Sequence, residues 1–290
     1  MTTAGQWVAG SRPRTLGAAI APVAVGTAVA YADADDLIWW RAVLALVVAL
    51  ALQVGVNFAN DYSDGVRGTD AQRAGPLRLT ASGLAAPAAV RNAAVVAFGV
   101  AAVAGLVLAI AVDLRLLIVG AVCLAAGALY TGGPRPYGYS GLGEVAVLVF
   151  FGIVATAGST YVQLEGVPAA AWWAGVALGL LACGVLLTNN IRDIDGDRVA
   201  GKRTFAVRVG GAAARRVYVV CLIVAFACVV AVGVLYPWAL LALLALPLAV
   251  PPAGGVLTAT APPQLVAALV ATVRLELVVG ALLTLGLALS

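Results

Sequence analysis

The sequence predicts an all-α integral membrane protein, a bundle of about nine transmembrane helices with a cytoplasmic N-terminus. Of its 290 residues, 63% are hydrophobic and only 10% are charged, and the mean hydropathy is +1.05. Soluble domains normally carry about a quarter charged residues. Uncharged apolar runs of helix-spanning length recur from end to end, and no long polar segment separates them. We therefore interpret residues 1–290 as a single transmembrane domain in a lipid bilayer.

The apolar runs place the individual spans. They lie near 15–32, 41–60, 92–112, 114–131, 143–163, 168–190, 216–235, 238–257 and 265–289. Arg274 and Glu276 interrupt the last run, and PPAGG at 251–255 breaks the run before it. An interfacial helix over 263–275 with a short final span is the alternative there. The first run could also be a signal peptide, although a retained first span explains the same pattern.

The basic residues predict the orientation of the bundle. Fourteen of the 17 Lys and Arg residues lie in the N-terminal segment and in three loops, at 64–91, 132–142 and 191–216. By the positive-inside rule, these segments face the cytoplasm. A single Lys among so many Arg is typical of a GC-rich bacterial genome, so a bacterial plasma membrane is the expected location. Nucleic-acid binding is excluded, because the basic residues lie between apolar spans and form no folded basic face.

The composition also limits the chemistry. The chain has no His, which excludes imidazole bases, His-ligated haem and the usual His-containing zinc sites. Its four Cys residues are scattered through apolar runs without a C-x-x-C pair, which is typical of buried packing. A metal ion would therefore be held by oxygen ligands, and Mg²⁺ is the expected cofactor.

The first Asp-rich motif, NFANDYSD at 57–64, closes a long apolar run and opens a basic loop. On a helix, Asn57, Asp61 and Asp64 lie on one face at i, i+4 and i+7, and Asn60 pairs with Asp64 at i, i+4. An Asp at a helix end can be a simple solvated cap. Clustered carboxylates at a membrane boundary, however, repel one another and are costly to desolvate, so a compensating cation is expected.

The second motif, NNIRDIDGD at 189–197, repeats this arrangement. Asn189, Asp193 and Asp197 are spaced four by four and form a second stripe if the helix continues. Both motifs lie on the same predicted side of the membrane, and each precedes a basic loop. We therefore expect two half-sites of one chamber, in which Mg²⁺ is bridged to a substrate diphosphate.

Basic and aromatic residues surround the two motifs. The positive charges could bind phosphate oxygens and stabilise a departing diphosphate, although topology alone also explains basic loops. Lys202, the only lysine, lies five residues after Asp197 and is the strongest candidate. The segment YTGGPRPYGYSGLGE at 130–144 predicts a tight loop whose tyrosines line a site where positive charge develops. A membrane-interface aromatic belt is the alternative for these tyrosines.

These motifs resemble those of the UbiA superfamily of intramembrane aromatic prenyltransferases. The family pattern N-D-x-x-D, followed by a basic-Pro-Leu segment, is similar to NDYSD at 60–64 and RAGPLRLTASG at 73–83. The second pattern, D-x-[DE]-G-D-x-x-x-G-x-x-T, matches 193–204 without a gap. Many members place a further acid at the position of Gly68, whereas this chain has Asp70. That offset, with PRPYGYSGLGE, resembles the 1,4-dihydroxy-2-naphthoate prenyltransferases of menaquinone biosynthesis.

The resemblance implies a nine-helix bundle, an activity and a set of site residues. Transfer of a polyprenyl group from polyprenyl diphosphate to 1,4-dihydroxy-2-naphthoate, with loss of diphosphate and CO₂, would give demethylmenaquinol. The implied metal ligands are Asn60, Asp61, Asp64, Asp193 and Asp197. The implied catalytic residues are Asp61, Asp64, Asp193, Asp197, Lys202, Tyr130 and Tyr139. The implied diphosphate-binding residues are Asn57, Asn60, Arg67, Asp70, Arg73, Arg78, Arg135, Asn189, Arg198, Lys202 and Arg203.

Three alternative functions are considered from the sequence. Within the superfamily, the acceptor could be another aromatic compound such as 4-hydroxybenzoate. A cation- or proton-coupled transporter would also use intramembrane acids, but near mid-span and facing a pathway open to both sides. An alcohol phosphotransferase would carry its acids in one compact run, whereas the two motifs here are widely separated in the chain.

Overall fold

The fold is helical throughout the part of the chain that the computed structural model describes, residues 2–68 and 77–290. The helices are α1 (Ala4–Gly10), α2 (Gly17–Ala34), α3 (Trp39–Val66), α4 (Pro87–Ala111), α5 (Leu116–Leu129), α6 (Gly143–Leu164), α7 (Ala169–Arg192), α8 (Ile194–Val199), α9 (Phe205–Val209), α10 (Gly211–Leu235), α11 (Pro237–Thr258) and α12 (Pro262–Ala288). Within lipid, a helix satisfies its backbone hydrogen bonds internally, which favours this architecture for so apolar a chain. The predicted all-α fold class is confirmed.

The transmembrane character of the bundle is also confirmed. Among the described residues, eight helices are long and apolar enough to cross a bilayer, namely α2, α3, α4, α6, α7, α10, α11 and α12. The ninth predicted span corresponds to α5, an apolar helix of only 14 residues. The multi-pass membrane assignment therefore rests on eight full-length helices and one short helix.

Hydrogen bonds show which connections lie at the same end of the bundle. Asn57, near the end of α3, donates to the carbonyl of Ser11 at 2.9 Å. The backbone N–H of Arg203 donates to the carbonyl of Tyr139 at 2.9 Å, which brings the loop after α8 to the loop after α5. We call this end of the bundle the motif end, because both Asp-rich motifs lie there.

Glycines allow the central helices to approach closely. A Cβ atom on Gly152 of α6 would lie 2.4 Å from the carbonyl oxygen of Gly175 and 2.4 Å from the Cα of Gly179, both on α7. A Cβ atom on Gly26 of α2 would lie 2.2 Å from the carbonyl oxygen of Thr156. Small residues at such crossings increase the packing contacts that associate helices in lipid. The middle of α6, Val147–Val154, is π-helical where it faces α7.

The last two membrane helices differ from the sequence prediction. The PPAGG segment does not break its span, because the α-helical part of α11, Leu246–Thr258, continues through Pro251 and Pro252. The span begins as a 3₁₀ helix over Pro237–Ala245, and prolines are tolerated in membrane helices where local adjustments satisfy the freed backbone groups. The interfacial helix considered for 263–275 is wrong, because α12 is continuous and Glu276 is buried within the bundle.

Candidate active site

The carboxylate of Asp64 is the point at which three segments of the motif end meet. The hydroxyl group of Tyr139, from the loop after α5, donates to its Oδ1. The Nζ of Lys202, from the loop after α8, lies 3.0 Å from the same oxygen. Arg78 approaches Oδ2 at 3.7 Å. The Asp64 and Lys202 side chains are 4% and 7% exposed, so the first motif and the loop after the second motif share one nearly buried, charge-compensated centre.

The backbone after α7 explains how Lys202 reaches this centre. The N–H of Lys202 donates to the carbonyl of Asp197 at 2.8 Å, which closes a turn around Gly201. Gly201 has a φ of +72°, a left-handed conformation that favours glycine. This turn points the only lysine of the chain back towards the end of α3.

The expected continuing helix through Asn189, Asp193 and Asp197 is interrupted at one residue, although the backbone N–H groups of Asp193 and Asp197 still donate to the carbonyls of Asn189 and Asp193, at 3.1 and 2.8 Å. The structure ends α7 at Arg192, and Asp193 has non-helical angles between α7 and α8. The guanidinium of Arg192 donates from Nε and one terminal nitrogen to the two oxygens of Asp193, both at 2.7 Å. Asp197 is buried and accepts from the hydroxyl group of Thr204 at 3.4 Å. The second motif is therefore a helix end interrupted at Asp193, held by backbone bonds and by these side-chain contacts.

Asp61 anchors the chain that follows α3. Its two carboxylate oxygens accept the backbone N–H groups of Leu79 at 2.7 Å and Thr80 at 2.9 Å. Leu79 is fully buried beside Phe58, so apolar packing holds the same segment in place. These bonds leave each oxygen of Asp61 a further lone pair.

The asparagines of the first motif connect neighbouring segments to α3. Asn57 also donates to the hydroxyl oxygen of Thr15 at 3.1 Å. The Oδ1 of Asn60 accepts from the hydroxyl group of Thr131 at 2.7 Å. Both amides are thereby oriented at the motif end.

The tyrosines of the loop at 130–142 have different surroundings. The ring of Tyr139 has the Nζ of Lys202 at 4.7 Å and the guanidinium carbon of Arg67 at 5.4 Å from its centroid. Tyr130 and Tyr137 form an edge-to-face pair with centroids 5.5 Å apart. Tyr137 donates to the carbonyl of Ala126, and burial raises the pKa of its hydroxyl group to about 12. The ring of Tyr139 is therefore the one that already attracts cations.

Several predicted phosphate ligands have other partners or are exposed. Arg67 donates to the backbone carbonyls of Thr131 and Gly133 and so fixes the loop after α5. Arg135 and Arg203 are exposed. Arg198 is 62% exposed and lies 3.5 Å from Asp195. The predicted candidates Asp70 and Arg73 lie outside the described residues.

An apolar cavity of about 590 Å³ extends from the motif end between the helices. Leu52, Val56, Phe150, Phe151, Val185 and Leu186 form part of its wall. Asn57, Asn60, Asn189 and Tyr130 line it as well, so the predicted site residues and the apolar space are continuous. Such a cavity suits a ligand with a polar head and a long hydrocarbon tail.

Three further residues were not assigned a site role from the sequence. Arg192 pairs with Asp193, and Gln53 and Glu276 line the cavity. An acid inside an apolar run is a functional candidate in its own right. The position of Glu276 inside an apolar run could therefore have identified it as a site residue, although the sequence pattern was interpreted only as a break in the last span.

The oxygen donors of the motif end fit a hard divalent cation. Carboxylate and amide oxygens from both motifs are present, and these are the ligands that Mg²⁺ accepts together with phosphate oxygens and water. Within residues 2–68 and 77–290, no group of three acidic, His or Cys side chains could hold a metal ion by itself. Such a donor set fits an ion that is shared with a diphosphate.

Comparison with known proteins identifies relatives of this chain. The model of the UbiA prenyltransferase family matches residues 19–259. The 1,4-dihydroxy-2-naphthoate octaprenyltransferase of Mycobacterium tuberculosis is 50% identical over 256 residues, covering 88% of this chain and 87% of the relative. The enzyme of the same name from Escherichia coli is 38% identical and covers 98% and 95%. A UbiA homologue from Archaeoglobus fulgidus, solved bound to DMAPP and Mg²⁺, has a TM-score of 0.63 at 15% identity and covers 79% and 78%.

Proposed function

Because this chain belongs to the UbiA prenyltransferase family, we propose that it transfers a polyprenyl group from polyprenyl diphosphate to 1,4-dihydroxy-2-naphthoate. Diphosphate and CO₂ are released, and the product is the demethylmenaquinol of menaquinone biosynthesis. Two relatives named for octaprenyl transfer to this naphthoate are 50% and 38% identical to the chain over most of its length. Those identities support 1,4-dihydroxy-2-naphthoate as the acceptor of the prenyl group.

One observation supports the reaction chemistry most strongly. The centre formed by Asp64, Lys202 and Tyr139 lies one helical turn from Asn60, which lines the apolar cavity. A polyprenyl diphosphate has the matching division between a charged head and an apolar tail. The head would bind at the motif end and the tail would lie along the cavity towards the lipid.

The basic side chains at this centre would bind and stabilise the diphosphate. Lys202 and Arg78 now compensate Asp64, and each has donors to give to phosphate oxygens. Positive charge directed at the departing diphosphate lowers the barrier to breaking the prenyl C–O bond. The ring of Tyr139, which already lies beside two cations, would face the positive charge that develops on the prenyl carbon.

Mg²⁺ would be held by the oxygens of Asn60, Asp61, Asp64, Asp193 and Asp197. When bound, it supplies charge neutralisation of the diphosphate and so promotes its departure. The chain orients these ligands through its own contacts, including those of Asp61 with the 79–80 backbone and of Arg192 with Asp193. The remaining donors assigned from the sequence, among them Arg135, Arg198 and Arg203, would act at the rim of the site.

Prenyl transfer then needs no protein nucleophile. The ring carbon that carries the carboxylate attacks the prenyl carbon, a C–C bond forms, and the C–O bond to diphosphate breaks. Loss of CO₂ returns its bonding electrons to the ring, so electrons balance without a separate base. The apolar cavity would exclude water, which would otherwise capture the prenyl cation.

We also propose that the motif end faces the cytoplasm of a bacterial plasma membrane. The N-terminal segment and the three basic loops all connect helices at this end, and basic loops remain on the cytoplasmic side. Reporter fusions after Ala200 and after Val112 would test this orientation, because the two sites should lie on opposite sides.

The experiment uses purified protein in proteoliposomes with octaprenyl diphosphate and naphthoate labelled in its carboxylate. We expect Mg²⁺-dependent prenylated product by mass spectrometry, labelled CO₂ in equal amount, and little product from 4-hydroxybenzoate. Asp64→Asn should abolish product. Asp195→Asn is the control, because Asp195 is an acid of the second motif but is 96% exposed. Normal activity of Asp64→Asn, or prenylation of 4-hydroxybenzoate alone, would contradict the proposal.

A further inference from the structure

Glu276 on α12 carries a carboxyl group that the rest of the described chain leaves unsatisfied. The residue is 1% exposed, and neither carboxyl oxygen has a hydrogen-bond partner. Arg14, which also lines the cavity, forms no ion pair with it. Burying a carboxyl group without partners costs folding free energy, so a residue of this kind is more readily explained by a ligand than by stability.

The position of Glu276 directs the carboxyl group into the cavity rather than towards lipid. One turn earlier, Thr272 shares a hydrogen bond with the hydroxyl group of Tyr218 at 2.7 Å. One turn later, Gly280 packs against Ala21 of α2. Glu276 lies between these two packed layers and lines the cavity that also reaches Asn189.

The depth of Glu276 separates it from the diphosphate centre. Thr272 packs near Gly184 and Gly280 packs near Leu178, so Glu276 is level with the segment of α7 between those residues. At 1.5 Å rise per residue, this level is roughly 10 Å farther into the bundle than Asn189. That distance leaves room for a two-ring aromatic compound between the diphosphate end and Glu276.

We propose that Glu276 binds a ring hydroxyl group of the aromatic acceptor. A hydroxyl group donates to an ionised carboxylate and accepts from a protonated carboxyl group, so it satisfies Glu276 in either state. A ring carboxylate would be repelled by the ionised form, and a prenyl tail would leave both oxygens unpaired. The Oε1 of Gln53, which also lines the cavity and is buried without a partner, offers an acceptor to a second hydroxyl group. Two such acceptors suit a dihydroxy compound. This inference rests on the proposed function, since it names the binding group for that reaction's acceptor.

The first test separates the two substrates kinetically. Glu276→Leu should raise the KM for 1,4-dihydroxy-2-naphthoate at least tenfold and leave the KM for octaprenyl diphosphate within twofold. Its thermal unfolding temperature should equal or exceed that of the wild type, because an unsatisfied buried group has been removed. Glu276→Gln, which keeps an acceptor oxygen, should have an intermediate KM.

The matched control is Glu144→Gln. Glu144 is a half-buried carboxyl group whose Oε1 accepts from Asn190 at 2.8 Å and whose Oε2, like the oxygens of Glu276, has no partner, but it does not line the cavity. Its replacement should leave the acceptor KM unchanged. Equal KM changes in the two variants, or a change for both substrates, would overturn the proposal.

The second test pairs the residue with the hydroxyl group. Binding of the dihydroxynaphthoate and of its two monomethyl ethers is measured without prenyl diphosphate. We expect one ether to bind the wild type at least fivefold more weakly than the parent and to bind Glu276→Leu equally well. Two results would overturn the inference alone: an active wild type with no such coupling, and ion flux in proteoliposomes that Glu276→Leu abolishes. A wild type that neither binds nor prenylates the naphthoate would refute the proposed function, and the inference with it.

Discussion

Replacement of Lys202 by Ala tests whether this side chain stabilises the departing diphosphate or only the fold. Its Nζ lies 3.0 Å from the Oδ1 of Asp64 and 4.7 Å from the centroid of Tyr139, with both charged side chains less than a tenth exposed. Truncation removes the positive charge and leaves Asp64 partly uncompensated. Both the stability and the activity of the protein should therefore fall.

The magnitudes follow from the geometry. At 3.0 Å and an effective dielectric constant of about 20, the attraction is on the order of 5 kcal/mol, and desolvation offsets much of it. Removing one partner of a buried pair costs about 3–5 kcal/mol of stability, and Arg78 near Asp64 should place this variant at the low end. Loss of one donor to a developing oxyanion costs about 3–4 kcal/mol, which predicts a fall in kcat of roughly 10²–10³-fold.

The assay combines thermal unfolding with steady-state prenyl transfer. Lys202→Ala combined with Asp64→Asn removes the uncompensated charge and should recover most of the lost unfolding temperature without recovering activity. Lys202→Arg keeps the charge and should retain more activity than Lys202→Ala. Arg216→Ala, a substitution of an exposed basic residue at the motif end, serves as the control and should match the wild type.

Two results would refute this reasoning. Activity of Lys202→Ala within threefold of the wild type would exclude a contact with the departing diphosphate. Recovery of activity together with stability in the double variant would show that Lys202 acts only by holding the fold.

Three further predictions concern neighbouring groups. Tyr139→Phe keeps the ring and should lose about tenfold in kcat, whereas Tyr139→Leu should lose at least a further tenfold, measured by product formation; equal losses would argue against a role of the ring. Arg78→Ala should lower kcat/KM for prenyl diphosphate by about 10–100-fold, and Arg135→Ala by less than about threefold. The reason is that a nearly buried charge contributes more to binding than an exposed one. A larger loss for Arg135→Ala than for Arg78→Ala would contradict the assigned centre. Gly152→Ala should destabilise the fold by about 1–3 kcal/mol, because a Cβ atom there would overlap the backbone of α7. Gly158→Ala is the control, because a Cβ atom there would have no atom within 4 Å. Equal unfolding temperatures of the two variants would refute that packing.

Hydropathy was sufficient to predict the architecture, because each span depends on a local property of its own residues. The run at 168–190 corresponds closely to α7, Ala169–Arg192, whereas α3, Trp39–Val66, extends through the first motif beyond the run at 41–60. The broken end of α7 could not be predicted in this way. The break lies at Asp193, which has non-helical backbone angles and whose carboxylate accepts from Arg192, and residue spacing does not reveal it.

The sequence predicted which residues form the candidate site more fully than it predicted the contacts that they make. The spacing of the first motif placed Asn57, Asp61 and Asp64 on one helix, as the structure shows. The backbone partners of Asp61 lie 18 and 19 residues away, and the contact of Lys202 with Asp64 crosses 138 residues. Tertiary packing decides such contacts. Packing also determines that Glu276 lines the cavity. From the sequence, Glu276 was only a charged residue that interrupts the last apolar run.

The central claim is that both Asp-rich motifs bind one diphosphate with its metal ion beside Lys202. Determination of the structure with Mn²⁺ and a non-hydrolysable prenyl thiodiphosphate tests this most directly, because anomalous scattering locates the metal. We expect a metal signal within coordination distance of Asp64 and of at least one carboxylate of the second motif, with Lys202 contacting a phosphate oxygen. A metal and diphosphate bound elsewhere, or contacted by only one motif, would contradict it.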